Sequence, residues 1–73
     1  MGDVQETDLP GIGRRFEFRA SGGEHVAVVV HRSGIRELAV FDNEDPDVCR
    51  SVLRLSPGDA RTLGELLGRE LAT

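Results

Sequence analysis

Few side chains in this sequence combine the residue types and the spacing that catalysis or metal binding requires. His25 and His31 are the two histidines, and both lie in a β-branched segment that predicts a strand. At the usual rise of a strand, the six residues between them correspond to about 20 Å, so the two rings cannot share one metal ion within that strand. A histidine near a strand end is most often solvated or hydrogen-bonded, and we expect that role for both.

Cys49 is the single cysteine, which excludes an intramolecular disulfide and a zinc site built from several thiolates. In the predicted last strand it has the same parity as Leu53 and Leu55, so we expect a small core residue rather than a reactive thiol. No Ser, Cys or Thr stands in a recognisable setting of general base and orienting group. We therefore predict no catalytic residue, no cofactor in this domain and no enzymatic activity.

An acidic segment over residues 42–48 invites a calcium interpretation, because it contains four carboxylates: Asp42, Glu44, Asp45 and Asp47. A helix–loop–helix calcium site requires a glycine at its sixth position and a carboxylate at its twelfth. Counted from Asp42, those positions hold Asp47 and Leu53. We expect a solvated loop broken by Pro46, and no metal site.

Length and charge exclude several classes of protein. The 73 residues suffice for one small domain, and 9 basic against 13 acidic residues leave a net charge of -4. This acidic balance argues against nucleic-acid binding, although Arg14, Arg15, Arg32 and Arg36 lie at predicted strand ends, where they can cluster. No apolar run approaches the about 20 residues of a membrane span, and no signal peptide is visible. We expect a cytoplasmic domain.

The elements that position these side chains follow from periodicity. Alternation and turn residues predict four or five strands over residues 3–9, 15–20, 24–32, 35–42 and 49–55. In the second segment Arg15, Glu17 and Arg19 alternate with apolar residues, which predicts one charged face and one buried face that carries Phe16 and Phe18.

A helix closes the sequence. Ser56 is a good N-cap, Pro57 takes the first helical position, and Asp59 completes a capping pattern. The apolar stripe expected to face the sheet consists of Ala60, Leu63, Leu67 and Leu71. The predicted class is α+β: a small, mainly antiparallel sheet of four to five strands, or an open barrel, followed by one C-terminal helix.

The helix also carries a candidate protein interface formed by Gly64, Leu66 and Gly68. Each glycine costs about 1 kcal/mol relative to alanine in a helix interior, and close approach of another backbone offsets such a cost. The ordinary explanation is packing against the domain's own sheet. The alternative is contact with a partner, which Leu66 favours because it points about 100° or more away from the apolar stripe.

Three segments of the chain resemble a known family. The segment VQETDLPGIGRRFEF (Val4–Phe18), the segment GEHVAVVVHRSGIRELAVFD (Gly23–Asp42) with its D-P-D loop (Asp45–Asp47), and LSPGDARTLGELLG (Leu55–Gly68) resemble the N-terminal domain of KhtT-like proteins. Members of that family are cytoplasmic regulatory subunits of bacterial potassium/proton antiporters. The resemblance covers essentially the whole chain and rests on the ordered series of segments.

This resemblance implies a single N-terminal regulatory or adaptor domain over residues 1–73. In the family a C-terminal domain of the type found in regulators of potassium conductance (RCK) follows, binds a nucleotide, commonly cyclic di-AMP, and contributes to dimerisation. That domain is absent from this sequence, which stops at Thr73. The implied partners are the membrane antiporter subunit, the chain's own C-terminal domain if present, and a second copy in a homodimer. The implied location is the inner face of the cell membrane, with no nucleic acid involved.

Two alternatives remain open. A small nucleic-acid-binding barrel that presents the strand-end arginines would bind DNA or RNA in a strongly salt-dependent way. A dimerising scaffold unrelated to transport is compatible with the same residues and would differ in its gene context.

Overall fold

The chain forms one antiparallel sheet and one helix in a computed structural model that describes residues 3–45 and 47–71. Pro46, which we predicted to break the acidic loop, lies outside the described residues, as do Met1, Gly2, Ala72 and Thr73. The elements are β1 (Gln5–Leu9), β2 (Gly13–Arg19), β3 (His25–His31), β4 (Arg36–Phe41), β5 (Cys49–Leu55) and α1 (Pro57–Leu67).

Each strand pairs with the next one in the sequence, and the spatial order is β1-β2-β3-β4-β5. The two end strands do not pair with each other, so the sheet is open rather than closed into a barrel. This confirms the predicted class of an antiparallel sheet followed by one C-terminal helix. The β-branched segment forms β3, the central strand, as its composition predicts.

The register assigns side chains to two faces of the sheet. Glu17 is opposite Ala27, and Ala27 is opposite Ala39, so these residues share the face that we call the polar face. Helix α1 lies on the other face, where Leu63 shares an apolar crevice with Leu38 of β4. We call this second side the helix face.

The burial of β2 differs from the prediction. Phe18, expected to be buried, is exposed on the helix face, whereas Glu17 on the polar face is half-buried. Ala27 is the only fully buried residue in the described ranges, and it lies on the polar face between charged strands. The prediction was wrong because α1 spans only part of the helix face, while long polar side chains cover the polar face.

A β-bulge between Val40 and Phe41 changes the parity of β5. It places Cys49 opposite Phe41, on the polar face, instead of on the side of Leu53. Cys49 is exposed, so the prediction of a small core residue was wrong. Leu53 and Leu55 do lie on the helix face, but only Leu55 is partly buried.

Helix α1 begins as predicted and ends earlier than predicted. The Oγ of Ser56 accepts a hydrogen bond from the backbone N–H of Asp59 at 3.1 Å. The helix ends at Leu67 and Gly68 is its C-cap, so Leu71 lies beyond the helix and is exposed. The apolar stripe is therefore one turn shorter than the periodicity indicated.

Gly34, in the turn between β3 and β4, allows the start of α1 to approach the sheet. Its φ of +100° is rare for L side chains, and a Cβ built there would lie 3.0 Å from Cγ of Pro57. The turn and the first residue of the helix are thus in contact, which positions α1 at one end of the helix face.

Candidate functional site

The polar face carries a connected cluster next to Ala27. Oε2 of Glu17 lies 2.9 Å from Nε2 of His25 and 3.1 Å from Nη2 of Arg15. The guanidinium of Arg15 lies 5.6 Å from the ring centroid of Phe41, and the His25 ring meets the same ring edge-on, with centroids 6.3 Å apart. One carboxylate therefore holds two basic side chains against one aromatic ring.

The electrostatics of this cluster favour an ionised Glu17. Its hydrogen bond with His25 lowers the pKa of the Glu17 carboxyl below its ordinary value of 4.5, and the charge of Arg15 acts in the same direction. Partial burial of the side chain opposes both effects. Glu17 is thus a structural anion at neutral pH rather than a proton donor.

The second histidine has a similar partner. Nε2 of His31 lies 3.0 Å from Oε1 of Glu37, and Nη1 of Arg54 lies 3.8 Å from the same oxygen. Both histidines share the polar face, and both are hydrogen-bonded. Within residues 3–45 and 47–71, no three His, Cys, Asp or Glu side chains converge to hold a metal ion.

The glutamate partners of the histidines were missed by sequence reasoning. In the β2–β3 hairpin Arg19 is opposite His25, which makes Glu17 the diagonal neighbour of His25 on the same face. The predicted strands over residues 15–20 and 24–32 leave a three-residue loop, and pairing the residues outward from that loop would have placed Glu17 next to His25. The His31–Glu37 contact follows in the same way from the β3–β4 turn.

The four strand-end arginines do not form one basic patch. Arg14 pairs with Glu6, and Arg15 lies on the opposite face of β2, where it pairs with Glu17. The guanidinium of Arg36 donates to the carbonyl of Gly34. The remaining one, Arg32, is exposed in the β3–β4 turn. Two of the four charges are therefore offset by carboxylates.

The acidic loop uses two of its carboxylates to hold its own backbone. Oδ1 of Asp42 accepts from the N–H of Glu44 at 2.8 Å, and Oδ1 of Asp45 accepts from the N–H of Asp47 at 3.1 Å. These are Asx turns, which are common in solvated loops.

The helix patch, defined as Gly64, Leu66 and Gly68, lies at the C-terminal end of α1. Leu66 is 54% exposed. A Cβ built on Gly64 would meet no atom within 4 Å, so close packing on the chain's own sheet is not the reason for this glycine. The N–H of Gly68 donates to the carbonyl of Gly64 at 3.1 Å and caps the helix. Gly64 leaves open space on the crevice side of α1, whereas Leu66, about 160° away around the helix, is exposed on the side that points away from the sheet.

An apolar crevice of about 170 Å³ separates α1 from the sheet beside this patch. Leu67 and Gly64 border it on the helix, and Val28, Leu38 and Leu55 form its floor. Leu67 is otherwise exposed. The end of α1 is therefore incompletely packed against its own sheet.

Strand β1 forms the second exposed feature. It is an end strand of the sheet, and four of its five residues are exposed. An end strand offers unpaired backbone groups to another polypeptide. No helix in the described part of the chain is long and apolar enough to cross a membrane.

Together, these elements form a small α+β domain with exposed apolar side chains at the end of α1 and an exposed end strand. A family model described as the N-terminal domain of the K(+)/H(+) antiporter subunit KhtT matches residues 2–71. The chain belongs to this family, as the resemblance of its three segments indicated.

Curated relatives agree with this assignment. The K(+)/H(+) antiporter subunit KhtT of Bacillus subtilis is 36% identical over 66 residues, which cover 90% of this chain and 40% of that protein. The ammonium/H(+) antiporter subunit AmhM of Alkalihalophilus pseudofirmus is 40% identical over 66 residues, which cover 89% of this chain and 40% of that protein. This chain therefore spans about two fifths of the length of these relatives.

Proposed function

We propose that this chain is a non-catalytic domain of a cytoplasmic regulatory subunit that controls a membrane potassium/proton antiporter. It relays ligand-dependent changes from a downstream nucleotide-binding domain to the antiporter through protein–protein contacts. The domain itself binds no cofactor, and the subunit lies at the inner face of the membrane as a homodimer.

The observation that carries this proposal is the family match over residues 2–71. Two relatives that cover most of the chain are named as subunits of cation/proton antiporters. The fold is compatible with an adaptor role, because the polar cluster is engaged in ion pairs within the chain while apolar side chains are exposed at the end of α1.

A relay requires a contact whose free energy differs between two states of the subunit. The helix patch is our first candidate for that contact, since Leu66 is exposed on the outer side of α1 and Gly64 leaves open space on the side toward the sheet. Strand β1 is the second candidate, because it is an end strand. A change in the downstream domain would move these surfaces relative to the antiporter.

The nucleic-acid alternative loses its structural basis, since the sheet is open and its strand-end arginines do not form one patch. If the chain is instead a dimerising scaffold, the same surfaces contact a second copy of the chain and not a transporter. Binding to the antiporter therefore separates the proposal from its competitor.

The direct test measures binding to everted membrane vesicles that contain the cation/proton antiporter of the source cell. The tagged chain should sediment with these vesicles and not with vesicles that lack the antiporter. Leu66→Arg should weaken this binding by about ten-fold or more, because an arginine replaces an apolar side chain at the contact.

Ile12→Arg is the matched control, because Ile12 is 51% exposed in the turn between β1 and β2, against 54% for Leu66. It should change binding by less than about two-fold, since exposed side chains outside a contact contribute little. Equal binding to both kinds of vesicle would refute the proposed function. An unchanged affinity of Leu66→Arg would refute the helix patch alone.

A further inference from the structure

Few side chains hold helix α1 to the sheet. Within α1, all of which the structure describes, only Ala60 and Leu63 are partly buried, and every other residue is exposed. Leu67 borders the crevice and is still 76% exposed. The apolar contact between the helix and the sheet is therefore small.

Polar contacts do not compensate for this small contact. Among the described residues, no ion pair and no hydrogen bond joins α1 to a strand. The backbone N–H of Asp59 donates to Oγ of Ser56, and the hydroxyl of Thr62 donates to the carbonyl of Gly58. Both hydrogen bonds lie within the helix and its cap, so they do not attach α1 to the sheet.

The helix is also too short to be stable without the sheet. It has 11 residues, and isolated helices shorter than about 12–15 residues are marginal in water. Two of its residues, Gly58 and Gly64, lower its helix propensity further. If the contacts of Ala60 and Leu63 with the sheet were lost, the helix itself should therefore unfold.

The sheet depends less on α1 than α1 depends on the sheet. Strands β2, β3 and β4 are paired along their length. Ala27, the one fully buried residue in the part of the chain that the structure describes, lies on the polar face, opposite to the helix. The ion pairs of Glu17 with His25 and Arg15 lie on that face too. Loss of α1 would leave all these contacts in place.

We propose that α1 detaches from the sheet and unfolds as a unit while the five strands stay paired. The chain then alternates between a docked state, which is the one described above, and a detached state. Detachment uncovers Val28, Leu38 and Leu55, which form the floor of the crevice. A partner that binds only one of the two states shifts the equilibrium between them.

This inference names the moving element of the relay, and in that role it rests on the proposed function. In the docked state the helix patch has a fixed position relative to the sheet, and in the detached state it does not. A change in the downstream domain can therefore present or withdraw Leu66 by shifting α1 between the two states. The detachment itself is a property of this chain and does not require the antiporter.

Amide hydrogen exchange of the chain, followed by NMR, tests the inference under conditions in which each rate reports an opening equilibrium. The amides of Leu63 and Gly64 should be at least about 100-fold less protected than those of Ala27 and Val28 in β3, because they exchange through detachment alone. All four amides lie inside their elements, so fraying at the ends of α1 would not produce this difference.

Val29→Ala separates detachment of α1 from unfolding of the whole domain. Val29 is half-buried on the polar face, so its truncation weakens the sheet but not the contact with α1. The protection of the β3 amides should fall by about five-fold or more, and that of the α1 amides should change by less than about two-fold. Leu63→Ala is the matched truncation on the helix, and it should lower the protection of the α1 amides by about five-fold or more.

The outcomes separate this inference from the proposed function. Equal protection of the α1 and β3 amides, or an equal loss in both on Val29→Ala, would overturn the inference, since α1 would then open only when the whole domain unfolds. An unchanged α1 protection in Leu63→Ala would also overturn it. None of these results would affect binding to antiporter vesicles. Low protection of α1 together with equal binding to both kinds of vesicle would support the detachment and refute the proposed function.

Discussion

Glu17 is the residue that organises the polar face. It contacts His25 and Arg15, and the two basic side chains enclose the ring of Phe41. Because this carboxylate has a lowered pKa in the folded state, its ionised form stabilises the fold. That stabilisation is complete above the unfolded pKa near 4.5 and is lost as pH falls through the lower folded pKa.

Glu17→Gln tests this linkage. At pH 7 the variant should have a lower free energy of unfolding than the wild type, since its neutral amide replaces an ion that two basic groups stabilise. The difference between the two proteins should shrink as pH falls below about 4.5, because the wild-type carboxyl is then increasingly protonated. Urea unfolding at pH 7 and pH 3 measures both values.

Glu65→Gln is the control for this comparison, because Glu65 lies on α1 and forms no ion pair among the described residues. Its free energy of unfolding at pH 7 should stay within about 0.5 kcal/mol of the wild type. A difference between wild type and Glu17→Gln that is the same at both pH values would contradict the role assigned to Glu17.

At the scale of elements, the sequence predicted the strands and the start of the helix because their signals are local. Alternation defines β2, and Ser56 caps α1 through its own side chain. The errors arose where tertiary contacts determine which face a side chain occupies and whether it is buried. The bulge at Phe41 reversed the parity of Cys49, and the limited span of α1 left Phe18 exposed, neither of which a periodic pattern can reveal.

The features of the candidate functional site were less predictable from the sequence than the strands and the start of the helix. The exposure of Leu66 follows from its angle on the helix, and the structure agrees with it. The open space at Gly64 depends on the distance between α1 and the sheet, which no local signal encodes. The Glu17–His25 pair required the hairpin register as well as the residue types.

Gly64→Ala tests the interpretation of the helix patch. Alanine should raise the free energy of unfolding by about 1 kcal/mol, because the helix gains propensity and the new Cβ meets no atom within 4 Å. Urea unfolding of the chain at a fixed concentration measures the change. The same variant should weaken binding to antiporter vesicles if a partner backbone approaches at this position.

Gly68→Ala is the matched control on the same helix. Gly68 is the C-cap, and a Cβ there would lie 3.3 Å from the carbonyl oxygen of Gly64, so no comparable gain is expected. A loss of stability on Gly64→Ala would show that this glycine is required by the domain's own packing.

At the scale of the whole molecule, the domain is more extended than its length requires. Its radius of gyration is 13.3 Å. A compact domain of 73 residues has about 11 Å on the usual scaling. A five-stranded sheet with one short helix has too few layers to cover both faces. This shape is compatible with the proposed function, since a domain that works through contacts with other polypeptides presents apolar surface to them.

The central claim is that this domain regulates a cation/proton antiporter through protein contacts. The most direct measurement is the rate of potassium/proton exchange in everted vesicles, followed with a pH-sensitive dye, with the protein added at its natural length. We predict that the wild-type protein and the Ile12→Arg variant change the exchange rate by the same amount. The Leu66→Arg variant should leave the exchange rate close to its value without added protein. An exchange rate that the wild-type protein leaves unchanged would contradict the account.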